Sequence, residues 1–478
     1  MTRRWADARV RRTWLRSPTW AAGLVLPFLL GACSGAGPGA ARPTITQAPT
    51  QTGAPAATPT GAPAATPTAV PVWTNYVVSD QRSARVLAVA TDGTVYIVTF
   101  QANGRAQTDE KLVALGPDGK PRTDWTAPQI PTGKVVQDAV AGPDGGLYLA
   151  IGSDFNSDAP VTKPVTLLHL NSAGAAVAGW PVSIDTSGLF DLIVAGDDIC
   201  FEWVNDSSTR TIERIGPDGQ RAPGWPLVLH SGVLLAPIAG DQGVVFVSTY
   251  TVTQSSAGPS YSASEITAYS ADGQPVTGWH VPATKADRIT YIVPIKSGLL
   301  EVSGSTMPSA TASDTLNWLN ADGTATGATA TAPKNGLSAS VSVGPDGMPY
   351  VAWGYGESKV GDGSVVNATP GFVSAYGTDG KPLPGWPVQL SGWPDNDLTK
   401  GGPLPIGPNG TIWVLERANG FAVTIHAFGP DGKPRLSKPL SITADYFTTS
   451  VVGNSGVLYT TDRTGSTTTV MAISEDHA

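Results

Sequence analysis

Apolar and polar positions alternate in short runs along this chain, and after residue 30 no window keeps an apolar face at helical spacing. Two turn-centred patterns recur. The first is a turn glycine between an apolar run and a β-rich run, as in Thr91–Val98, Gly142–Leu149, Gly344–Val351 and Gly407–Val414, with looser copies at 195–200, 240–246, 295–300 and 453–459. The second is a turn glycine followed six residues later by tryptophan: Gly119 to Trp125, Gly174 to Trp180, Gly219 to Trp225, Gly273 to Trp279 and Gly380 to Trp386. Copies at Asn320–Gly323 and Gly429–Gly432 carry the turn without that tryptophan. Gly-Pro-Asp-Gly suits a type I turn closed by a left-handed glycine, so each pattern predicts a hairpin.

Turn glycines of the second kind run from Gly119 to Gly432 in six intervals, about 52 residues each. Two hairpins per period make a four-stranded unit, strands A to D, and a stack of such units is a β-propeller. The chain therefore reads as all-β, an eight-bladed propeller of four-stranded antiparallel blades, with seven blades as the fallback. The last unit runs out after strand C at Val470–Ile473. Val72-Trp73-Thr74 resembles Asp124-Trp125-Thr126, so the N-terminal strand is expected to supply the missing strand D and close the ring. Trp73, Trp125, Trp180, Trp225, Trp279 and Trp386 read as blade-docking residues, because what recurs in nearly every blade builds the scaffold.

Composition agrees. Charged residues are 14% of the chain, and glycine and proline total 96, as many tight turns require. The N-terminus is a different segment. Six arginines precede an apolar run from Trp20 to Leu30, too short for a comfortable membrane span, and Leu30-Gly31-Ala32-Cys33 follows. That tetrapeptide resembles a bacterial lipobox, which implies cleavage after residue 32 and a lipid on Cys33. Arg11-Arg12-Thr13-Trp14-Leu15-Arg16 resembles a twin-arginine signal; the general secretory route remains the alternative. Residues 33–71 are almost wholly Ala, Pro, Thr and Gly, with a tandem Gly-Ala-Pro-Ala-Ala-Thr-Pro-Thr, and cannot build a core. In a polyproline II-like form they reach on the order of 100 Å. The expected organisation is a signal peptide at 1–32, a disordered stalk at 33–71 and the propeller at 72–478.

The formal charge of −8 becomes about −13 once the arginine-rich leader is removed, and no basic run remains, so nucleic acid is excluded as a partner. With Cys33 acylated, Cys200 has no disulfide partner and reads as a small buried hydrophobe.

The alanines five residues before the turn glycine (Ala114, Ala268, Ala375), the Asp-Gly turn and the tryptophan together resemble the pyrroloquinoline-quinone-type, quinoprotein-like propeller repeat. The commoner family spacing after the glycine is shorter. Enzymes of that family carry the quinone with calcium and often an adjacent cysteine pair, which this sequence lacks. Asp154-x-Asn156-x-Asp158 starts like a calcium loop but lacks the following glycine and the closing glutamate. His169 and His426 fall at or beside the strand C alanine position, and no nucleophile elbow, phosphate loop or metal-spaced cluster appears. No cofactor is expected, and no metal.

Propeller topology puts the A–B and C–D turns on one face and the B–C and D–A connections on the other. The long insertions fall on the second: 249–264 and 354–371, then 153–163 and 304–314. Tyr250, Tyr261, Trp353 and Tyr355 flank the longest two and are the candidate ligand-gripping aromatics, packing of the loops onto the blades being the alternative. The reading is a monomeric, membrane-anchored extracytoplasmic lipoprotein with a docking propeller for a protein or cell-wall partner. In outline it resembles the lipoprotein propeller of the outer-membrane barrel assembly machinery. The alternatives are a quinone-dependent dehydrogenase or carbohydrate-active enzyme using the central funnel, and a cell-wall or sugar-binding module.

Overall fold

The computed structural model describes residues 73–475 except positions 80, 105, 155–161, 187, 189, 205–208, 230–232, 241–242, 256–257, 280, 282–287, 306–312, 334–338, 355–356, 360–364, 368–369, 396–403, 418–420 and 446. The chain divides into Met1–Val70 and a compact unit Pro71–Ala478. The leader, Cys33 and the stalk lie outside the described residues.

The second unit is an all-β, eight-bladed propeller. Blade 2 shows the plan: strands A (Lys134–Ala141), B (Leu147–Ser153), C (Val165–Leu170) and D (Val182–Ile184) pair antiparallel in that order. The A strands are innermost, and those of blades 8, 1, 2, 3, 4, 5 and 6 touch in succession. Two blades show three paired strands among the described residues. In blade 1, strand C (Ala106–Leu115) gains no partner beyond Trp125, where Pro128 and Pro131 offer no N–H to a ladder. In blade 4, residues 282–287 lie outside the described set, and Val281 bridges Ile266.

The ring closes as the truncated last unit requires. Blade 8 is built from Val451–Val452, Leu458–Thr464 and Thr467–Ile473, and its outer strand is Tyr76–Val78, paired Tyr76↔Val470, Val77↔Thr469 and Val78↔Thr468. Pairing begins three residues after Trp73, which packs edge-on against Tyr459 at 5.1 Å. Thr74 N donates to Asp118 O of the blade 1 C–D turn at 2.9 Å, as Thr126 N does to Ala173 O of blade 2 at 3.0 Å. Gly119 lies so close beneath that a Cβ would meet Thr74 O at 2.1 Å, and its φ is +81°, so glycine is required twice over.

Each D-strand tryptophan lies over its own blade and reaches the next. The indole N–H of Trp180 donates to Pro217 O, Trp225 to Ala271 O and Trp386 to Pro430 O, each at 2.9 Å, and Trp279 to Ala321 O at 3.0 Å. Every acceptor belongs to the following blade's C–D turn. Blade 7 carries exposed Lys438 at the sixth position after its turn glycine, and the reason is topological. Blade 8 takes its strand D from the other end of the chain and has no C–D turn to receive an indole.

Beneath the tryptophan sits a strand B aromatic: Tyr96 under Trp125, Tyr148 under Trp180, Phe246 under Trp279 and Tyr350 under Trp386, with ring centroids 5.2–6.0 Å apart. Its cross-strand partner on strand C is usually alanine (Ala114, Ala268, Ala375, Ala427, Ala472), because one large ring fills the space. Blade 5 inverts the pair, with Leu300 opposite Trp318. Blade 2 keeps two rings by stacking His169 flat on Tyr148, 4.0 Å apart at 19°. Blade 3 opposes Cys200 with Arg214.

Candidate functional site

The face carrying the B–C and D–A connections differs from its opposite in having no uniform turns. Part of it is more regular than the sequence suggests. Residues 249–264 are not an irregular loop: strands Val245–Ser255 and Gly258–Tyr269 run straight through it, pairing Tyr250↔Ser264 and Val252↔Tyr261 out to Ser255↔Gly258. Alternating Thr, Val, Tyr and Ser satisfy a two-sided ribbon as readily as a loop. Within 354–371 a small hairpin pairs Glu357–Lys359 with Val365–Asn367. Tyr250 and Tyr261 therefore lie on an extended hairpin of blade 4. Tyr355 lies outside the described residues.

Trp353 is elsewhere. It ends strand B of blade 6 with 0% exposure, in a core with Trp318, Val351, Phe372 and Tyr376. Gly354 and Gly371 pack the chain against Trp393 and Pro394 of blade 7 just beyond it. Position beside a long insertion made Trp353 look like a surface aromatic, while the strand register carries its side chain inward. Asp154, first residue of the calcium-like loop, is buried and accepts the Gln107 N–H at 2.8 Å; positions 156 and 158 lie outside the described residues.

Several described charged groups on this face are held in pairs. On blade 7, Glu416 Oε2 meets His426 Nε2 at 2.7 Å, and its other oxygen accepts the Gly392 N–H. Burial alone would raise this carboxyl, yet the bonds from His426 and Gly392 hold it below the usual range. Asp395 and Arg417 form a buried pair beside it. Blade 8 contributes Arg463 to Asp445 at 3.1 Å, and blade 1 Arg82 to Asp109 at 2.6 Å. Such pairs fix strand ends and loop roots at modest net gain, because desolvation offsets their attraction. Among the described residues no three His, Cys, Asp or Glu side chains come together as a metal site. Among the described residues the Glu416–His426 dyad has no hydroxyl or thiol side chain bonded to it.

At the junction of blades 1 and 2, Glu110 of strand C hooks the inner strand of blade 2, its Oε2 accepting the Val136 N–H at 2.6 Å while Arg85 donates to Val136 O at 2.6 Å. Asp314 does the same for Ala339 of blade 6 at 2.8 Å. Both lie four residues before the strand C member of the large–small pair, Ala114 opposite Tyr96 and Trp318 opposite Leu300, a repeated hook that sequence reading missed. Burial pushes the Glu110 carboxyl up to about 7, against the pull of Arg85 and the Val136 N–H. The folded form thus holds its proton more tightly than the unfolded chain, whose ordinary value is 4.5. This group's contribution is fully present below pH 4.5 and is lost as pH rises through 7, an effect on the order of 3 kcal/mol at most. Urea melts at pH 4.5 and 8 are expected to show that fall, and Glu110→Gln, which keeps an acceptor for Val136, to flatten it. An equal slope in the variant would assign the pH dependence elsewhere.

Cys200 has no exposure, and burial pushes its thiol up to about 12, so it is chemically quiet. Its smallness admits Arg214, whose guanidinium bonds Asp198 at 2.6 Å, Ala195 O at 2.9 Å and Gly243 O of the next blade's A–B turn at 2.5 Å. Trp413 makes the corresponding bond to Gly456 O at 3.0 Å, and Tyr96 to Gly145 O at 3.4 Å. Arg214 therefore performs in blade 3 the work of the strand B aromatic.

No family model matches the chain, and no curated protein matches it. Among solved structures it is similar to a eukaryotic initiation factor (11% identity, TM-score 0.45, covering 83% of this chain and 85% of that one). It is also similar to prolyl oligopeptidase B from Galerina marginata (9% identity, TM-score 0.46, covering 80% of this chain) and to a puromycin-hydrolysing peptidase of Mycobacterium tuberculosis (12%, 0.43, 80%). The chain spans 54% and 58% of the length of those two peptidases. At these identities and scores the likenesses carry no functional argument.

Proposed function

We propose that this chain is an exported lipoprotein, lipid-anchored through Cys33, whose propeller is a docking scaffold for a protein or cell-wall partner on the insertion-bearing face. One observation carries the reading: the apolar run, Leu30-Gly31-Ala32-Cys33 and the Ala/Pro/Thr stalk follow one another without a gap and lead straight into the ring-closing strand. A lipoprotein cysteine carries more than one acyl chain, enough for stable anchoring. The chain enters the propeller at the tight-turn face, where Thr74 meets Asp118. That leaves the face with the blade 4 and blade 6 hairpins for recognition, and a rigid ring presenting variable loops is a common basis for binding.

Cys33→Ala in the full chain is expected to abolish labelling by radioactive palmitate and to move the protein from the membrane fraction to the medium, with the melt of the propeller unchanged. Continued labelling and membrane retention of the variant would contradict the anchor.

A further inference from the structure

The junction of blades 5 and 6 is built differently from its sisters. Strand register sets Ala330 opposite Leu316, two residues before Trp318, as Val182 lies opposite Leu167, two before His169. Counting from these pairs, blade 5 presents Ala328, Ala330 and Ala332 to its neighbour. Blade 2 presents Trp180, Val182 and Ile184, blade 3 Trp225, Leu227 and Leu229, and blade 6 Trp386, Val388 and Leu390. Ala328 thus holds the tryptophan's place, one residue earlier than turn spacing predicts. Thr329 follows it and lies over Gly380 as Thr126 lies over Gly174. Trp318, moved onto strand C, recovers part of the lost volume and meets Tyr376 edge-on at 5.9 Å.

The rest is a half-open cavity of about 330 Å³ lined by Ala330, Thr331, Pro333, Ser374, Tyr376, Gly380, Pro382 and Pro387. Among the described residues no charged side chain lines it. Burial raises the Tyr376 hydroxyl. Beside it the Ser374 hydroxyl and the Trp353 indole N–H are buried without a hydrogen-bond partner among the described residues, which leaves the Ser374 oxygen as an acceptor that an indole N–H could meet. Three prolines and a tyrosine ring offer flat apolar walls. The volume lies at the small end of ligand sites, and apolar cavities of this kind take up uncharged aromatic guests.

We propose that this cavity binds one small uncharged aromatic molecule of the indole class. The chemistry follows from the sister junctions, where the corresponding interface is filled by an indole and two aliphatic side chains. An anionic analogue would have to leave water for a wall whose described residues offer no counter-charge.

Titration of the intact protein with indole, followed by calorimetry and by Tm, tests this. The expected result is one site per chain with a Kd on the order of 0.1–1 mM. Indole-3-acetate should bind at least about tenfold more weakly. Ala330→Leu places in the cavity the residue that blade 3 carries at this register; it is expected to raise the Tm of the free protein and weaken indole binding at least about tenfold. Crystals of the unsubstituted protein soaked in indole should show the ring between Ala330 and Pro382, a readout that does not depend on the variant folding. Absence of binding at several millimolar, equal binding by Ala330→Leu, or a ring found elsewhere would each overturn the proposal.

Discussion

Trp180→Ala is expected to cost about 3–5 kcal/mol of unfolding free energy, more than substitution of any charged pair on the insertion-bearing face. Trp180 is 7% exposed, sits edge-on to Tyr148 at 5.6 Å and His169 at 5.7 Å, and donates its indole N–H across the blade boundary to Pro217 O. Truncation removes apolar burial, opens a cavity between two blades and orphans a turn carbonyl, and all three effects have the same sign. Measured against typical total stabilities of about 5–15 kcal/mol, the loss is large. Urea unfolding followed by circular dichroism reads it directly, and Trp180→Phe should recover about half by keeping a ring. A change below about 1 kcal/mol in Trp180→Ala would mean that the blades are held by their inner strands alone.

The sequence shows this scaffold because its turns need glycine for a backbone reason and its junctions need tryptophan for a packing reason, and both recur together in most blades. The unequal copies were harder to read. Lys438 looks like decay until blade 8 is seen to lack the turn that would receive an indole. Ala328 is displaced from the expected position because its hairpin is one residue shorter than that of blade 2, which only the pairing of Ala330 with Leu316 reveals. Arg214 and Cys200 exchange large and small across two strands, a swap invisible to a pattern that follows one strand at a time.

The candidate binding face was less legible, for a related reason. Trp353 and Tyr355 are two residues apart beside one long insertion, and sequence alone treats them alike. Strand register buries Trp353 in the blade. Loops that do not repeat give no second copy against which to check such an assignment. Glu110 and Asp314 escaped notice because strand C acids in this role are seen at only two junctions among the described residues, too sparse a pattern to read, although each holds the next blade's inner strand.

Removal of residues through Val78 is expected to be the most damaging change of all. It takes away the Tyr76–Val78 ladder, the Trp73 contact with Tyr459, the buried Val78 side chain and the Thr74 bond to the blade 1 turn. Three apolar side chains and several hydrogen bonds correspond to a loss on the order of 5 kcal/mol or more. The strand Thr467–Ile473 would be left as an open edge, so association at micromolar concentration should accompany the destabilisation. The deletion does not show which residues pair.

A cross-link does. Val77 and Thr469 are 392 positions apart in the chain and directly opposed in the closing ladder, at a spacing that suits a disulfide. Val77→Cys with Thr469→Cys, in a chain that also carries Cys33→Ala and Cys200→Ser, is predicted to oxidise to an internal disulfide, migrate faster without reductant and remain monomeric. Failure to form that bond, or its formation only between chains, would contradict a propeller closed by its own N-terminal strand.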